Sequence, residues 1–261
     1  MKKILLLIVL VHYFFVVHAQ SDNTIGTSPY RLSWAVDLPI ATAALGMGVS
    51  YLVLDKQTAP LTTAYINSLD RTNVWAFDRA ATYNWSRPIA IGSDVLLYTS
   101  CALPLALLGD SKIRKDYLKI GVLYLETFAL TAAVTSLTKN LVKRPRPFVY
   151  NEAVDLQFKE ERDAQYAFFS GHTSMTAAMC FMTAKVFQDY NKGSKAIPWI
   201  WAAAATVPAV TGILRQQAGK HFWTDVISGY LIGAAIGVLV PELHRVGLFQ
   251  KKKAKRPEFS F

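Results

Sequence analysis

The sequence predicts an all-α protein, a polytopic membrane bundle of about six transmembrane helices. Three observations lead there. Of its 261 residues 52% are hydrophobic, the mean hydropathy is positive, and the apolar residues gather into six runs that cross or nearly cross a bilayer, which takes about 17 to 25 residues of helix. An ordinary soluble domain of this length is more polar. The formal charge of +10, from 28 Lys and Arg against 18 Asp and Glu, suits nucleic acid, anionic lipid heads or phosphorylated substrates. The apolar composition selects the lipid readings over nucleic acid.

The chain opens with Met1-Lys2-Lys3, an apolar run from Ile4 to Val17, and Val17-His18-Ala19 ahead of a polar stretch. This is the pattern of a secretory signal peptide over residues 1–19, bacterial in style and cleaved after Ala19, with an uncleaved anchor as the alternative. Residues 20–37 form a polar N-terminal segment. The membrane domain then occupies residues 38–245, with helices expected at Leu38 to Leu54, Ile89 to Leu108, Tyr117 to Leu137, Thr173 to Phe187, Ile197 to Leu214 and Phe222 to Val240. The fourth is short unless Ser170 to His172 form its first turn. In the sixth, Gly229, Gly233 and Gly237 recur every fourth residue and make a flat ridge for close helix packing.

The connectors 109–116 and 189–195 are short, whereas 55–87 and 148–167 are longer and polar. No repeat, low-complexity tract or linker divides the chain, so one domain is expected. The tail, 246–261, carries Lys251, Lys252, Lys253, Lys255 and Arg256 and reads as a cytoplasmic anchor. Cys101 and Cys180 lie inside apolar runs with no metal-ligand spacing and read as packing residues. Glu126 lies within the third run, where an ionised carboxylate is costly. A hydrogen bond within the bundle is the plainer expectation for it, and support of a functional residue or of a substrate head the alternative.

Orientation follows from charge. Lys112, Arg114, Lys115, Lys192, Lys195 and the tail are separated by even numbers of crossings, so they can share the cytoplasmic side. The other face then holds 139–167 and 215–221. A cleaved leader with six complete crossings gives the reverse, unless the leader is retained while one later segment fails to cross, or the run near Asp37 and Pro39 is re-entrant or interfacial.

Three separated segments converge on that other face: Lys139 to Pro147 after the third run, Ser170-Gly171-His172 at the fourth, and Arg215, His221 and Asp225 around the start of the sixth. Lys139, Arg146 and Arg215 can surround a dianion, the guanidinium forks matching phosphate oxygens. Ser170 and Gly171 precede a helix whose exposed N–H groups and dipole cradle an anion. His221 and Asp225 are four apart, so a carboxylate on one ring nitrogen leaves the other free to attack. His172 remains as an acid for a leaving alkoxide. Any one of these residues alone reads as an interfacial anchor or a helix cap; together they have no equally simple structural explanation.

The spacing Lys139, six residues, Arg146-Pro147; Ser170-Gly171-His172; Arg215, five residues, His221, three residues, Asp225 resembles the three-part signature of the type 2 phosphatidic acid phosphatase superfamily, which includes vanadium haloperoxidases. The resemblance covers roughly Tyr117 to Val240. It implies that Lys139, Arg146 and Arg215 bind a phosphoryl group with Ser170 and the Gly171 amide assisting, that His221 attacks phosphorus, that Asp225 orients it, and that His172 protonates the departing alcohol, with no cofactor and no metal. Phe169 stands where the family usually has proline, and Leu214 where it usually has a serine whose hydroxyl can reach the phosphate.

The expectation is a phosphatase of a membrane lipid (phosphatidylglycerol phosphate, phosphatidate, undecaprenyl diphosphate or lipid A) in a bacterial inner membrane, its site facing the periplasm and no obligate protein partner evident. The alternatives are a vanadium-dependent haloperoxidase-like enzyme, or a non-catalytic protein that binds or transports an anionic lipid. The segment Phe148 to Ala167, with Phe148, Tyr150 and Tyr166, is either a cap that selects substrate or a solvated loop.

Overall fold

The computed structural model describes residues 28–247. The leader 1–19 and all but the first two residues of the tail 246–261 lie outside them. Six long helices form the described chain: α1, Trp34–Lys56; α2, Arg87–Ala102; α3, Tyr117–Val142; α4, Gly171–Tyr190; α5, Ile197–Gln217; and α6, Trp223–Leu243. Among the described residues there is no strand, only an isolated bridge between Tyr30 and Arg245.

Local chemistry sets the helix ends. The Ser86 hydroxyl accepts from the Ile89 N–H at the start of α2, with Pro88 in the first turn. Pro104 has no N–H to continue the α-helical ladder, and α2 passes there into a 3-10 segment, Leu103–Gly109. α3 stops at Lys143, whose φ of 48° is left-handed, just before Pro145. The fourth helix takes in Gly171 and His172 as its first turn, with Ser170 as its N-cap. α1 runs unbroken through Pro39.

Among the described residues five helical stretches are long and apolar enough to cross a membrane: those of α1, α2 with its 3-10 extension, α3, α5 and α6. α4 is the exception, because it is the central helix. It packs against α2, α3, α5 and α6, and 14 of its 20 residues are buried. A helix enclosed by protein need not be apolar toward lipid, and α4 accordingly carries Thr173, Ser174, Thr176, Thr183, Lys185 and Asp189.

The glycine ridge of α6 makes its closest contact with α4. A Cβ at Gly229, Gly233 or Gly237 would lie 2.6, 2.0 or 2.4 Å from the carbonyl oxygens of Ser170, Ser174 and Ala178, so only glycine permits this approach.

The helices alternate in direction. The ends of α1, α3 and α5 therefore meet the starts of α2, α4 and α6 at one end of the bundle, where the two long polar segments cover them. These segments are folded against each other: Arg71 donates to the Tyr150 carbonyl at 2.7 Å, Gln165 to the Ala59 carbonyl at 2.7 Å, and the Trp85 ring packs on Phe148 and Phe158. Phe148, Val149, Tyr166 and Ala167 are buried. The 148–167 segment is thus a packed cap and not a solvated loop.

Candidate active site

The covered end of the bundle gathers every candidate side chain. Lys139 arrives on the last turn of α3, Ser170, Gly171 and His172 on the first of α4, Arg215 on the last of α5, and Asp225 on the first of α6. Arg146 and His221 come from the connectors between them. Gly219, at φ +72°, turns the chain between Arg215 and His221 where a Cβ would meet the Asn84 carbonyl oxygen at 2.0 Å.

His221 is fully buried. Its Nδ1 lies 2.7 Å from the Ala167 carbonyl oxygen, an acceptor that has no proton to give, so Nδ1 carries the ring proton and donates it there. That places the lone pair on Nε2, 3.4 Å from the Arg146 guanidinium. Burial, and then the charges of Arg146, Lys139 and Arg215, hold the imidazole pKa well below its ordinary value, so the ring is neutral at pH 7. A neutral imidazole with one nitrogen donating its proton and the other unprotonated is the nucleophilic form.

Asp225 lies 3.6 Å from His221 Nδ1, behind the Ala167 carbonyl, which makes the direct hydrogen bond. Its Oδ2 accepts from the Phe222 N–H at 2.8 Å, capping α6, and its Oδ1 pairs with Arg144 at 2.5 Å. Arg144 also pairs with Asp78 at 2.9 Å and lies over the Phe222 ring. This buried network fixes the start of α6, and with it the backbone that carries His221. Asp225 therefore bears on His221 chiefly through the chain that holds it.

The cations surround the space before Nε2. Arg146, 3% exposed, is held by the Asp163 carbonyl and carboxylate at 2.9 and 2.7 Å and by the Lys220 carbonyl at 3.2 Å. Burial opposes the Asp163 charge, but Arg146 and Lys139 outweigh it and hold that carboxyl below the usual range. Lys139 donates to the Tyr166 carbonyl at 2.8 Å. Arg215 donates to Ser93 at 3.2 Å, while its buried Nε has no partner, a donor suited to an anion. The Ser170 hydroxyl caps α4 through Thr173, and at Gly171 a Cβ would come within 3.6 Å of the Lys139 stem.

Several contributors were not singled out by sequence. His172 Nε2 lies 2.7 Å from Asp94 Oδ1, which is also 3.5 Å from Arg215. Asp94 is an ionisable residue inside the second apolar run, and that anomaly was its only signal. Lys220 lies over the rings of both Trp85 and Phe148, which pack against each other. Leu214 packs toward Gly92 on α2, 3.8 Å from where a Cβ there would stand. Phe169 is buried, and its peptide bond to Phe168 is cis. Glu126, thirteen residues before Lys139 on α3, is about 20 Å from this site by helical rise and faces the opposite end.

Comparison with known proteins follows the same lines. A lipid A 4'-phosphatase of Porphyromonas gingivalis is 27% identical over 128 residues, 48% of this chain and 50% of that protein. An undecaprenyl-diphosphatase of Sulfolobus acidocaldarius is 24% identical over 142 residues, 53% of this chain and 62% of that one. The chain thus spans about half to three-fifths of the length of these relatives. The crystal structure of a transmembrane PAP2-type phosphatidylglycerolphosphate phosphatase from Bacillus subtilis superposes with a TM-score of 0.50, covering 77% of this chain and 96% of its own, at 19% identity, a likeness of fold. Residues 120–246, which hold every motif residue from Lys139 to Asp225, match the model of the PAP2 superfamily.

Proposed function

We propose that this integral membrane protein is a phosphatase that removes phosphate from a membrane lipid through a phosphohistidine on His221. The observation that carries the reading is the state of that residue: buried, neutral, with Nδ1–H committed to the Ala167 carbonyl and an unprotonated Nε2 that accepts only a long contact, 3.4 Å, from Arg146. In the first step the Nε2 lone pair attacks phosphorus and the bond to the lipid oxygen breaks, His172 supplying a proton to that oxygen. Water then attacks phosphorus, returning a proton to His172, the P–N bond breaks with its electron pair going back to Nε2, and inorganic phosphate leaves. Lys139, Arg146, Arg215 and the first-turn N–H groups of α4 neutralise the charge that builds on the equatorial oxygens.

The lipid part has a matching space. A cleft of about 470 Å³ runs between α2, α3 and α4, lined by Leu97, Tyr98, Phe128, Ala132 and Met175, with Lys139 and Gly171 at its inner end. Tyr98 is 70% exposed on the lateral surface, so the cleft opens where a bilayer would lie. An acyl or prenyl chain can stay in hydrocarbon while its phosphate reaches the cations. The names of the similar proteins make lipid A and undecaprenyl diphosphate the first substrates to try, followed by phosphatidate and phosphatidylglycerol phosphate.

The setting we propose is a bacterial inner membrane with the site toward the periplasm. Lys112, Arg114, Lys115, Lys192 and Lys195 all lie at the opposite end of the bundle, where a cytoplasmic face retains basic residues. The test is phosphate release by the purified protein from these four lipids without added divalent metal. Release from at least one, blocked by vanadate and reduced by about a thousandfold or more in His221→Ala, is expected. Full activity in that variant overturns the reading, and halide oxidation by the vanadate-loaded protein would replace it with the haloperoxidase alternative.

A further inference from the structure

At the end of the bundle opposite the active site, three helices bring one ligand-bearing side chain each to a single point. Asp37 comes from the first turn of α1, Glu126 from α3, and His244 from the residue after α6. We propose that these three residues bind one divalent transition-metal ion that fastens α1 and the end of α6 to α3.

Their ligand atoms all lie within 4.8 Å of one another. His244 Nε2 is 2.7 Å from Asp37 Oδ1 and 3.3 Å from Glu126 Oε2. Nitrogen and oxygen ligands at about 2.1 Å from a metal are about 3.0 Å apart in an octahedron and about 3.4 Å apart in a tetrahedron. The 3.3 Å separation from Glu126 is that of such an edge, and the 2.7 Å separation from Asp37 need open by only a few tenths of an ångström to become one. The other ring nitrogen, Nδ1, lies 2.8 Å from the Val240 carbonyl oxygen. That is the second bond a metal-ligating histidine usually makes, and it turns the Nε2 lone pair toward the two carboxylates.

The second observation is Glu126. It is 4% exposed, and neither of its carboxylate oxygens accepts a hydrogen bond, although buried polar atoms nearly always find a partner. A proton on His244 Nε2 would serve Asp37 and still leave Glu126 without a hydrogen bond and the cluster with a net charge of −1. A divalent cation between a neutral imidazole and two carboxylates brings the sum to zero and engages all three groups. A cavity of about 170 Å³ beside His244, lined by Ser33, Val36 and Arg245 among others, gives a path from the surface. One imidazole with two carboxylates suits Zn²⁺ or Mn²⁺ better than Mg²⁺ or Ca²⁺, which favour all-oxygen shells.

This site is independent of the proposed phosphatase chemistry, and its test reads metal content and unfolding. The full chain, purified in detergent and stripped with a chelator, is titrated with Zn²⁺ and with Mn²⁺ separately, and bound metal and Tm are measured. One of them should bind at about one equivalent per chain and raise Tm by several degrees. Glu126→Gln, which keeps the side chain's volume, and His244→Ala should each lose both effects. If His244→Ala fails to fold, Glu126→Gln alone gives the answer. Wild-type protein that takes up neither metal, or uptake and Tm gain preserved in Glu126→Gln, overturns the proposal.

Discussion

Lys220 stacks 4.9 Å from the Trp85 ring and 4.8 Å from Phe148, and burial, with Arg146 and Arg215 nearby, pushes its ammonium down to about 8. At pH 7 it is charged and adds a fourth cation to the anion pocket; above pH 8 that charge is lost. KM for a lipid phosphate should therefore rise as pH passes from 7 to 9. In Lys220→Met the rise should be smaller, with KM at pH 7 already about tenfold higher, as for loss of one charge-assisted contact. A pH profile unchanged by the substitution assigns the alkaline limb to another group. Asp94 has the opposite sign: its carboxylate lies among the cations and holds His172 at 2.7 Å. Asp94→Asn should lower KM severalfold, by removing a competing negative charge, and lower kcat at least tenfold, by releasing the proton donor. A fall in kcat with KM unchanged or raised would mark Asp94 as merely structural. The eight residues named from sequence do meet at one end of the fold. The Ala167 carbonyl that holds His221 was not legible, because a backbone acceptor leaves no mark on residue identity, nor was the pairing of Glu126 with His244, 118 positions away.

Among the elements, the α4–α6 contact sets how closely the Ser170-Gly171-His172 turn approaches the His221 connector. Gly233→Ala would place a Cβ 2.0 Å from the Ser174 carbonyl oxygen, so the helices must part. We expect a stability loss of about 1–3 kcal/mol and a clear fall in kcat, read by thermal unfolding and turnover. Gly46→Ala, on α1 with nothing within 4 Å, should be neutral or stabilise by up to about 1 kcal/mol from helix propensity alone. Equal effects at the two positions would refute close packing as the reason for the ridge. The six helices were readable because apolar length is a strong signal. The weakest run, 173–187, became the most enclosed helix, and its polar content reflects protein on all sides. The short helices of the two polar segments lay beyond that signal, since their order comes from contacts with each other, such as Arg71 with Tyr150.

Across the whole molecule, a polar chamber closed by a cap meets an apolar cleft that opens sideways, and the two join at Lys139 and Gly171. The cap excludes bulk water above His221, which strengthens every charge contact below it. The cleft makes the protein's demand on substrate one of shape: a long chain must leave the phosphate laterally, between α2 and α3. Filling the cleft without touching the chamber should separate these demands. Ala132→Trp adds bulk on α3 two turns before Lys139, so KM for a long-chain lipid phosphate should rise about tenfold or more. A small water-soluble phosphate ester, whose leaving group needs no cleft, should keep its KM and kcat. Kinetics on both substrates decide the matter. An equal loss on the two would mean that the substitution disturbs the phosphate pocket itself, and unchanged kinetics on the lipid would mean that its chain leaves by another route.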